Sequence, residues 1–365
     1  MVAMKLSRDP KFESLLARLF QKEHLQEEAS SLLNEFLSIP VEEKQAVFAS
    51  LKPGFPFRDY FCSFFYEDVS ALYEEGLKKG IRCIDPTPLL SENPYWEKLR
   101  DLKIQEGNLK LIQKEVGPYS LYPYSFTEVG SAPFYEETPC FAYSDHSFSY
   151  PEFSSSGRPW MSLLPHEILT MQEPIQNAKG KVLTYGLGMG YFAYMACLKE
   201  DVSSVTVVEK DPAVLAFFRE HLLPFFPKQK LILIKGDALE FAGKGEKGSY
   251  DFLFMDVHHD AEDGLPLYLR FKKSEGIALR SEYWIERDIL VYLRRYLIAF
   301  LEEQNNPEIA KEGGKAYLPG KDFPSRLFSE IYRLSEGVSL ENEGDLAEFL
   351  SDENLKRMAA ELKVF

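Results

Sequence analysis

Apolar residues in the second half of the chain come in short runs, at 182–187, 204–209, 231–235 and 250–257, separated by segments in which they recur every three or four positions. A strand buried on both faces reads as an unbroken apolar run, and a helix packed on it as an amphipathic stripe. The pattern predicts parallel strands at the four runs and helices over 191–200 and 212–223. Asp211 followed by Pro212 supports the second helix start, with an acceptor at the cap and proline in the first turn. Strand and helix in alternation predict an α/β fold with a doubly wound, Rossmann-like sheet. A fifth strand is expected over 276–285, a long amphipathic helix over 286–303, and further helices over 322–334 and 343–362.

The first half reads differently. Residues 9–51 show helical spacing, with Phe12, Leu15, Leu16, Leu19 and Phe20 on one stripe and Leu32, Leu33, Phe36 and Leu37 on another, ended by Lys52-Pro53-Gly54. Another helix is expected over 60–79, and Asn93-Pro94-Tyr95-Trp96-Glu97 reads as the capped start of a short one. From 108 to 153 aromatic residues are interspersed with Gly, Pro and Ser, a pattern open to short strands or to an aromatic-rich loop. Ser154-Ser155-Ser156-Gly157 is the expected boundary, and a helix over 165–171 leads from it into the sheet. These features divide the chain into a mainly helical N-terminal region (1–107), an aromatic-rich segment able to cover a substrate (108–157), the Rossmann-like domain (158–304) and a C-terminal helical extension (305–365).

With 365 residues, 45% of them hydrophobic, the chain can bury a full core. Its net charge of −15 and the lack of a dense Lys/Arg cluster oppose nucleic-acid binding, which takes a basic stripe. The same charge suits a cationic substrate, or simply keeps the protein in solution. Cys62, Cys83, Cys140 and Cys197 are far apart and form no CxxC pair, a usage that fits reduced thiols in a cytoplasm. The N-terminus has no signal-like apolar stretch, and no run approaches the roughly 20 residues needed to span a bilayer. A soluble cytoplasmic protein is expected, acting on a small molecule, without nucleic-acid or membrane partners and compatible with a homo-oligomer.

Gly186, Gly188 and Gly190 follow the first strand and precede a helix, where open α/β sheets bind ligands and where bare backbone can approach one closely. Alone, such a triplet serves equally well as a tight turn. Glu209 ends the second strand, and a carboxylate there can accept from both hydroxyls of a ribose. Asp237 and Ala238 close the third strand, offering a side-chain acceptor and a backbone donor to the polar edge of an adenine. Asp256 closes the fourth. Acidic residues thus end three successive strands at one sheet edge, which points to a ligand bearing a nucleoside. A dinucleotide fingerprint needs glycine three places after the second glycine, where this chain has Tyr191, and no Lys-Ser or Lys-Thr follows the glycines as in a P-loop.

On these residues the stretch 158–303 resembles the class I S-adenosylmethionine-dependent methyltransferases, specifically the branch similar to spermidine synthases. The resemblance implies S-adenosylmethionine as cofactor, with Gly186, Gly188 and Gly190 facing its methionine part, Glu209 its ribose, Asp237 and Ala238 its adenine, and Asp256 bordering the reaction centre. It also implies that the segment from Trp160 to Met171 forms a helix covering the cofactor. Thr184 stands where many members have an acidic residue two positions before the first glycine, and the spermidine-synthase-like branch also tends to lack it. The family's sixth and seventh strands, an antiparallel pair, are not evident after 303. The run from Asp256 to Asp263, DVHHDAED, departs from the Asp-Ser-Ser/Thr-Asp pattern of polyamine synthases, and no Asn/Asp-Pro-Pro-Tyr of adenine methylases follows the fourth strand.

Asp256, His258, His259, Asp260, Glu262 and Asp263 form the most unusual polar stretch in the chain. Three roles are open to it. Imidazoles and carboxylates suit a divalent metal, although adjacent histidines on an extended segment point apart, and no metal ligand is assigned. Asp256, His258 or His259 can instead act as a general base or substrate contact, or the stretch is a solvated loop. His166 and Glu167 can approach it from the preceding helix, or serve there as cap or surface residues. The expected function is methyl transfer from S-adenosylmethionine to a small or medium-sized acceptor. Aminopropyl transfer to a polyamine and a non-catalytic cofactor-binding or scaffold role are the alternatives.

Overall fold

The computed structural model describes residues 4–52, 54–227, 229–305 and 320–365. The two apolar stripes of the N-terminal region lie on one helix, α1 (Pro10–Ser38), whose cap Asp9 accepts from the Lys11 and Phe12 amides. Phe12, Leu16, Leu19 and Phe20 join the core beside the main sheet, whereas Ala29, Leu32, Leu33 and Phe36 pack on Phe57, Tyr60 and Phe61. One helix therefore spans two cores. In the expected break at Lys52-Pro53-Gly54, Pro53 lies outside the described residues. The helix expected over 60–79 is interrupted: helical turns cover Phe57–Cys62 and Ser70–Leu72, and a π-helical turn covers Tyr73–Leu77. Asp68 restarts the chain by accepting from the Ser70 amide at 3.0 Å, an alternative to continuing the first helix.

Strands resolve the open reading of the aromatic segment. β1 (Ile104–Glu106), β2 (Leu109–Val116), β3 (Phe148–Ser155) and β4 (Arg158–Ser162) form an antiparallel sheet in the order β4-β3-β2-β1. The stretch from Ser154 to Gly157 makes the β3–β4 hairpin, so the chain passes through it without leaving the sheet. Several aromatic residues of this segment complete the N-terminal core, where the Tyr143 and Phe57 rings stack with centroids 4.1 Å apart. β4 then runs into α2 (Pro165–Thr170).

The main sheet comprises β5 (Gly180–Tyr185), β6 (Val202–Glu209), β7 (Leu231–Lys235), β8 (Tyr250–Met255) and β9 (Ala278–Tyr283). All are parallel, in the order β7-β6-β5-β8-β9, so the chain moves outward from β5 to β7 and returns on the other side of β5. This is the doubly wound, Rossmann-like arrangement. Its central strands are largely apolar because successive residues feed opposite cores. Val182, Val205, Val207, Phe252 and Phe254 face one, with α3 (Tyr191–Leu198) and α4 (Pro212–Phe217), while Leu183, Tyr185, Val208, Leu253 and Met255 face the other. Each such residue contributes roughly 1.5–3 kcal/mol of burial.

α5 (Ala238–Lys244) follows β7, α6 (Ala261–Lys273) joins β8 to β9, and α7 (Glu286–Asn305) follows β9. The extension expected from 305 begins with residues 306–319, which lie outside the described residues. Beyond them α8 (Phe323–Leu334), α9 (Glu343–Phe349) and α10 (Asp352–Glu361) send Leu327, Phe328, Leu346 and Leu355 into the same core as α6 and α7. Among the described residues the main sheet has five strands and no antiparallel pair joins it. No helix among them is long and apolar enough to cross a membrane.

Candidate functional site

The carboxyl ends of β5, β6, β7 and β8 open onto a cavity of about 290 Å³. It lies where the strand order reverses, the position at which open α/β sheets leave a crevice. The Tyr185 carbonyl accepts from the Asp256 amide at 2.9 Å, so β5 and β8 end side by side. Gly186 follows at φ 88, and a Cβ there would run into the Asp256 carbonyl oxygen; only glycine allows this approach. Gly188 lines the cavity beside Met161. Gly190 does not line it. At φ 82 it starts α3, and a Cβ would stand 2.6 Å from the Phe218 ring, so this glycine seats the helix rather than facing a ligand.

Glu209 is pinned at the cavity wall. Its Oε2 accepts from the Leu187 amide at 3.0 Å and its Oε1 from the Asp211 amide at 2.8 Å, which ties the glycine turn to the start of α4. Each oxygen keeps a further lone pair for a ligand. Asp237 caps α5, its Oδ1 accepting from the Leu239 and Glu240 amides at 2.9 and 3.1 Å. That leaves Oδ2 and the Ala238 amide, one of the donors that a helix start leaves without an intrahelical partner. Both residues line the cavity.

The opposite wall is built from β4, α2, β8 and the residue after β9. Trp160, Met161, Glu167, Asp256, His258 and Trp284 line it. Burial, reinforced by the Glu209 charge, pushes the Asp256 carboxyl up to about 7. Burial also raises Glu167 well above the usual carboxylate range, with the Asp256 charge adding to it and a backbone hydrogen bond from Ser162 opposing it. His258 is 6% exposed, and neither ring nitrogen has a hydrogen bond of full geometry, the Trp284 backbone making only a weak contact. Burial holds its ring below the ordinary imidazole value, and therefore neutral. Trp284 stands between His258 and His166, at centroid distances of 5.3 and 6.0 Å, and its indole nitrogen donates to Thr170 Oγ1 at 3.0 Å.

The polar stretch after β8 does not converge on one point. Asp260 caps α6 through the Glu262 and Asp263 amides, and Asp263 completes a capping box by accepting from the Asp260 amide. The His259 ring pairs with Asp263 at 3.0 Å while His258 turns inward, so the adjacent side chains diverge. His259 borders the cavity from this exposed position. Most of the stretch is thus a helix start, with Asp256 and His258 aimed at the cavity.

A clamp from the N-terminal region holds the glycine turn. The Asn93 side chain caps the short helix Trp96–Leu99 through the Tyr95 and Trp96 amides, at 2.9 and 3.1 Å, and donates to the Tyr191 hydroxyl at 3.0 Å. The Tyr95 hydroxyl donates to the Met189 carbonyl. Tyr191, which replaces the third glycine of a dinucleotide fingerprint, is therefore a fully buried anchor.

The helix implied over 160–171 differs in its first part: Trp160 and Met161 belong to β4, and the helix begins at Pro165. Pairing of Met161 with Phe153 holds this stretch extended. The sequence leaves Glu167 open to surface roles and carries no mark that distinguishes Trp284. Trp284 follows the fifth strand directly, and the rule that ligands sit at strand ends applies to it as it does to Glu209 and Asp256.

No protein-family model matches the chain, and no curated protein sequence matches it. Similar solved structures include a spermidine synthase from Thermotoga maritima, 16% identical over 35% of this chain and 47% of that one, with a TM-score of 0.26. A spermidine synthase in complex with the transition-state analogue AdoDATO is 18% identical over 35% and 49%, with a TM-score of 0.29. The S-adenosylmethionine-dependent methyltransferase SibL in its apo form is 16% identical over 29% and 30%, with a TM-score of 0.22. The chain spans about half the length of the two spermidine synthases. The likeness is one of fold and of nothing finer.

Proposed function

We propose that the chain is an S-adenosylmethionine-dependent methyltransferase acting on a small or medium-sized acceptor. One observation carries this reading: a single cavity gathers Gly186, Gly188, Glu209, Asp237, Ala238 and Asp256 at the ends of four parallel strands. The donor set suits the cofactor. Glu209, fixed by two amides, has lone pairs left for ribose hydroxyls, and Asp237 with the Ala238 amide offers an acceptor and a donor to an adenine edge. When bound, the cofactor supplies a methyl group already activated on a sulfonium, so the protein's contribution is alignment and proton handling. Trp160 and Met161 add apolar surface to the cavity wall. Asp256, whose proton affinity lies near neutrality, can take a proton from the acceptor nucleophile. His258, neutral and without strong partners, offers one donor and one acceptor to orient it. Calorimetric titration with S-adenosylmethionine and S-adenosylhomocysteine tests the assignment. Binding that is lost in Glu209→Ala is expected; no binding to either compound, or unchanged affinity in the variant, removes it.

A second reading, aminopropyl transfer to a polyamine, is favoured by the acidic lining of the cavity. Glu167, Glu209, Asp237 and Asp256 line it, and Lys210 is the one Lys or Arg among its described lining residues. Such a wall suits an amine better than a carboxylate. Incubation with decarboxylated S-adenosylmethionine and putrescine, read by mass spectrometry, separates the two, and absence of a product above background excludes the second.

A further inference from the structure

A second cavity, of about 380 Å³, lies among α8, α9 and α10, away from the strand ends. Phe349 and Met358 give it an apolar floor. Set beside them is Ser335, which directly follows α8, is 1% exposed, and has a hydroxyl with no hydrogen-bond partner. A buried hydroxyl is ordinarily paired, so this one points to a missing partner.

The charges around this cavity are arranged unusually. Arg357, Asp345, Glu348 and Glu361 all line it; Asp345 is held by the Glu341 amide and the Asn342 side chain, and the guanidinium makes no ion pair with any of the three carboxylates within 4.0 Å. Arg357 Nη2 donates instead to the Asn354 side-chain oxygen at 2.6 Å, which fixes the guanidinium on the wall. A groove elsewhere, between α1 and residues 136–138, behaves in the opposite way: its Glu136 and Glu74 are already paired with Lys22 and Lys78. Opposite charges that share a cavity without pairing leave both signs available to a ligand.

We propose that this cavity is a second ligand site, and that it binds a small zwitterion of the α-amino-acid type with an apolar side chain. Arg357 takes the carboxylate, Glu348 and Glu361 face the ammonium, Ser335 gains a hydrogen bond, and the side chain lies on Phe349 and Met358. A simple anion would face three carboxylates and a simple cation would face the guanidinium. Only a ligand bearing both charges on neighbouring atoms meets complementary groups on both sides.

Three probes that share the isobutyl side chain test this by calorimetry on the full chain: L-leucine, 3-methylbutan-1-amine and 4-methylpentanoate. L-leucine is expected to bind roughly tenfold more tightly than either singly charged analogue, the difference of one charge-assisted contact. Arg357→Gln should abolish L-leucine binding at a temperature where the variant is still folded, with at most a small fall in melting temperature from the lost hydrogen bond to the buried Asn354 oxygen, and Ser335→Ala should weaken L-leucine binding. Glu209→Ala, at the strand-end cavity, should leave it unchanged. No heat with L-leucine, equal binding of the amine, or binding that survives Arg357→Gln overturns the proposal. Loss of L-leucine binding in Glu209→Ala overturns it as well, by assigning the heat to the other cavity.

Discussion

On the β6–β7 side of the strand-end cavity, the carboxylates of Glu209 and Asp237 are each held by two main-chain amides. Across from them, half-buried Asp256 and buried His258 lack comparable partners, and Glu167 is shifted in spite of its backbone contact. The first wall keeps its shape with no ligand present, so little ordering remains to be done on binding. The second keeps groups near their neutral forms, where proton exchange is easy and stability is sacrificed. The two walls are thus suited to different tasks, recognition on one side and chemistry on the other.

The sharpest test of that division is Asp256→Asn. If Asp256 removes the acceptor's proton, turnover falls about 10²–10⁴-fold while affinity for S-adenosylhomocysteine is kept. A comparable loss of affinity would place Asp256 on the recognition side. In the unsubstituted protein kcat/KM should rise with pH through about 7, as the Asp256 carboxyl loses its proton, and the variant should lack this limb.

Gly186→Ala attacks the first wall. The added methyl group meets the main chain at Asp256, which cannot swing aside as a side chain can, and affinity for S-adenosylhomocysteine should fall about tenfold or more. Gly190→Ala separates seating from recognition. Its methyl group presses on Phe218, so denaturant unfolding should show a loss of about 1–3 kcal/mol, with affinity unchanged in the protein that remains folded. An affinity loss there would bring Gly190 back to the ligand.

A last test concerns stability. Folding raises Asp256 from its ordinary 3.8 to about 7, so the neutral carboxyl is the form that the fold favours. That contribution is complete below the ordinary value and is lost as pH rises through about 7. Asp256→Asn should therefore raise the melting temperature at about pH 8, by roughly 2–4 °C for each kcal/mol gained, and the gain should vanish near pH 4. A gain of the same size at both pH values would remove ionisation as its cause.

The placement of Gly186, Glu209, Asp237 and Ala238 at one cavity is legible in the sequence because each position is marked locally. A glycine after an apolar run, an acid at the end of the next run and an Asp-Ala before a helix each mark their position within a few residues, and the sheet order brings them together. The other wall is assembled across long separations. Glu167 reaches Asp256 from a short helix before β5, and Trp284 comes from the fifth strand, which the apolar pattern marks only weakly. The polar run from Asp256 to Asp263 looked like one candidate site because composition does not distinguish a capping box from a ligand set; Asp260 and Asp263 are occupied with the helix start. The interrupted helix over 60–79 was hidden for a related reason, since Asp68 competes for the backbone through its side chain.

The clamp of Asn93 and Tyr95 on Tyr191 and Met189 bears on how the chain acquires its shape. These contacts join positions 98 and 94 residues apart, so closing the glycine turn is an event of high contact order. During synthesis the segment around Asn93 must wait for α3 to emerge, and an excised sheet domain beginning at 158 would carry Tyr191 and the Met189 carbonyl without their partners. The turn that reads as the most self-contained motif in the sequence is thus completed only by a segment nearly a hundred residues upstream.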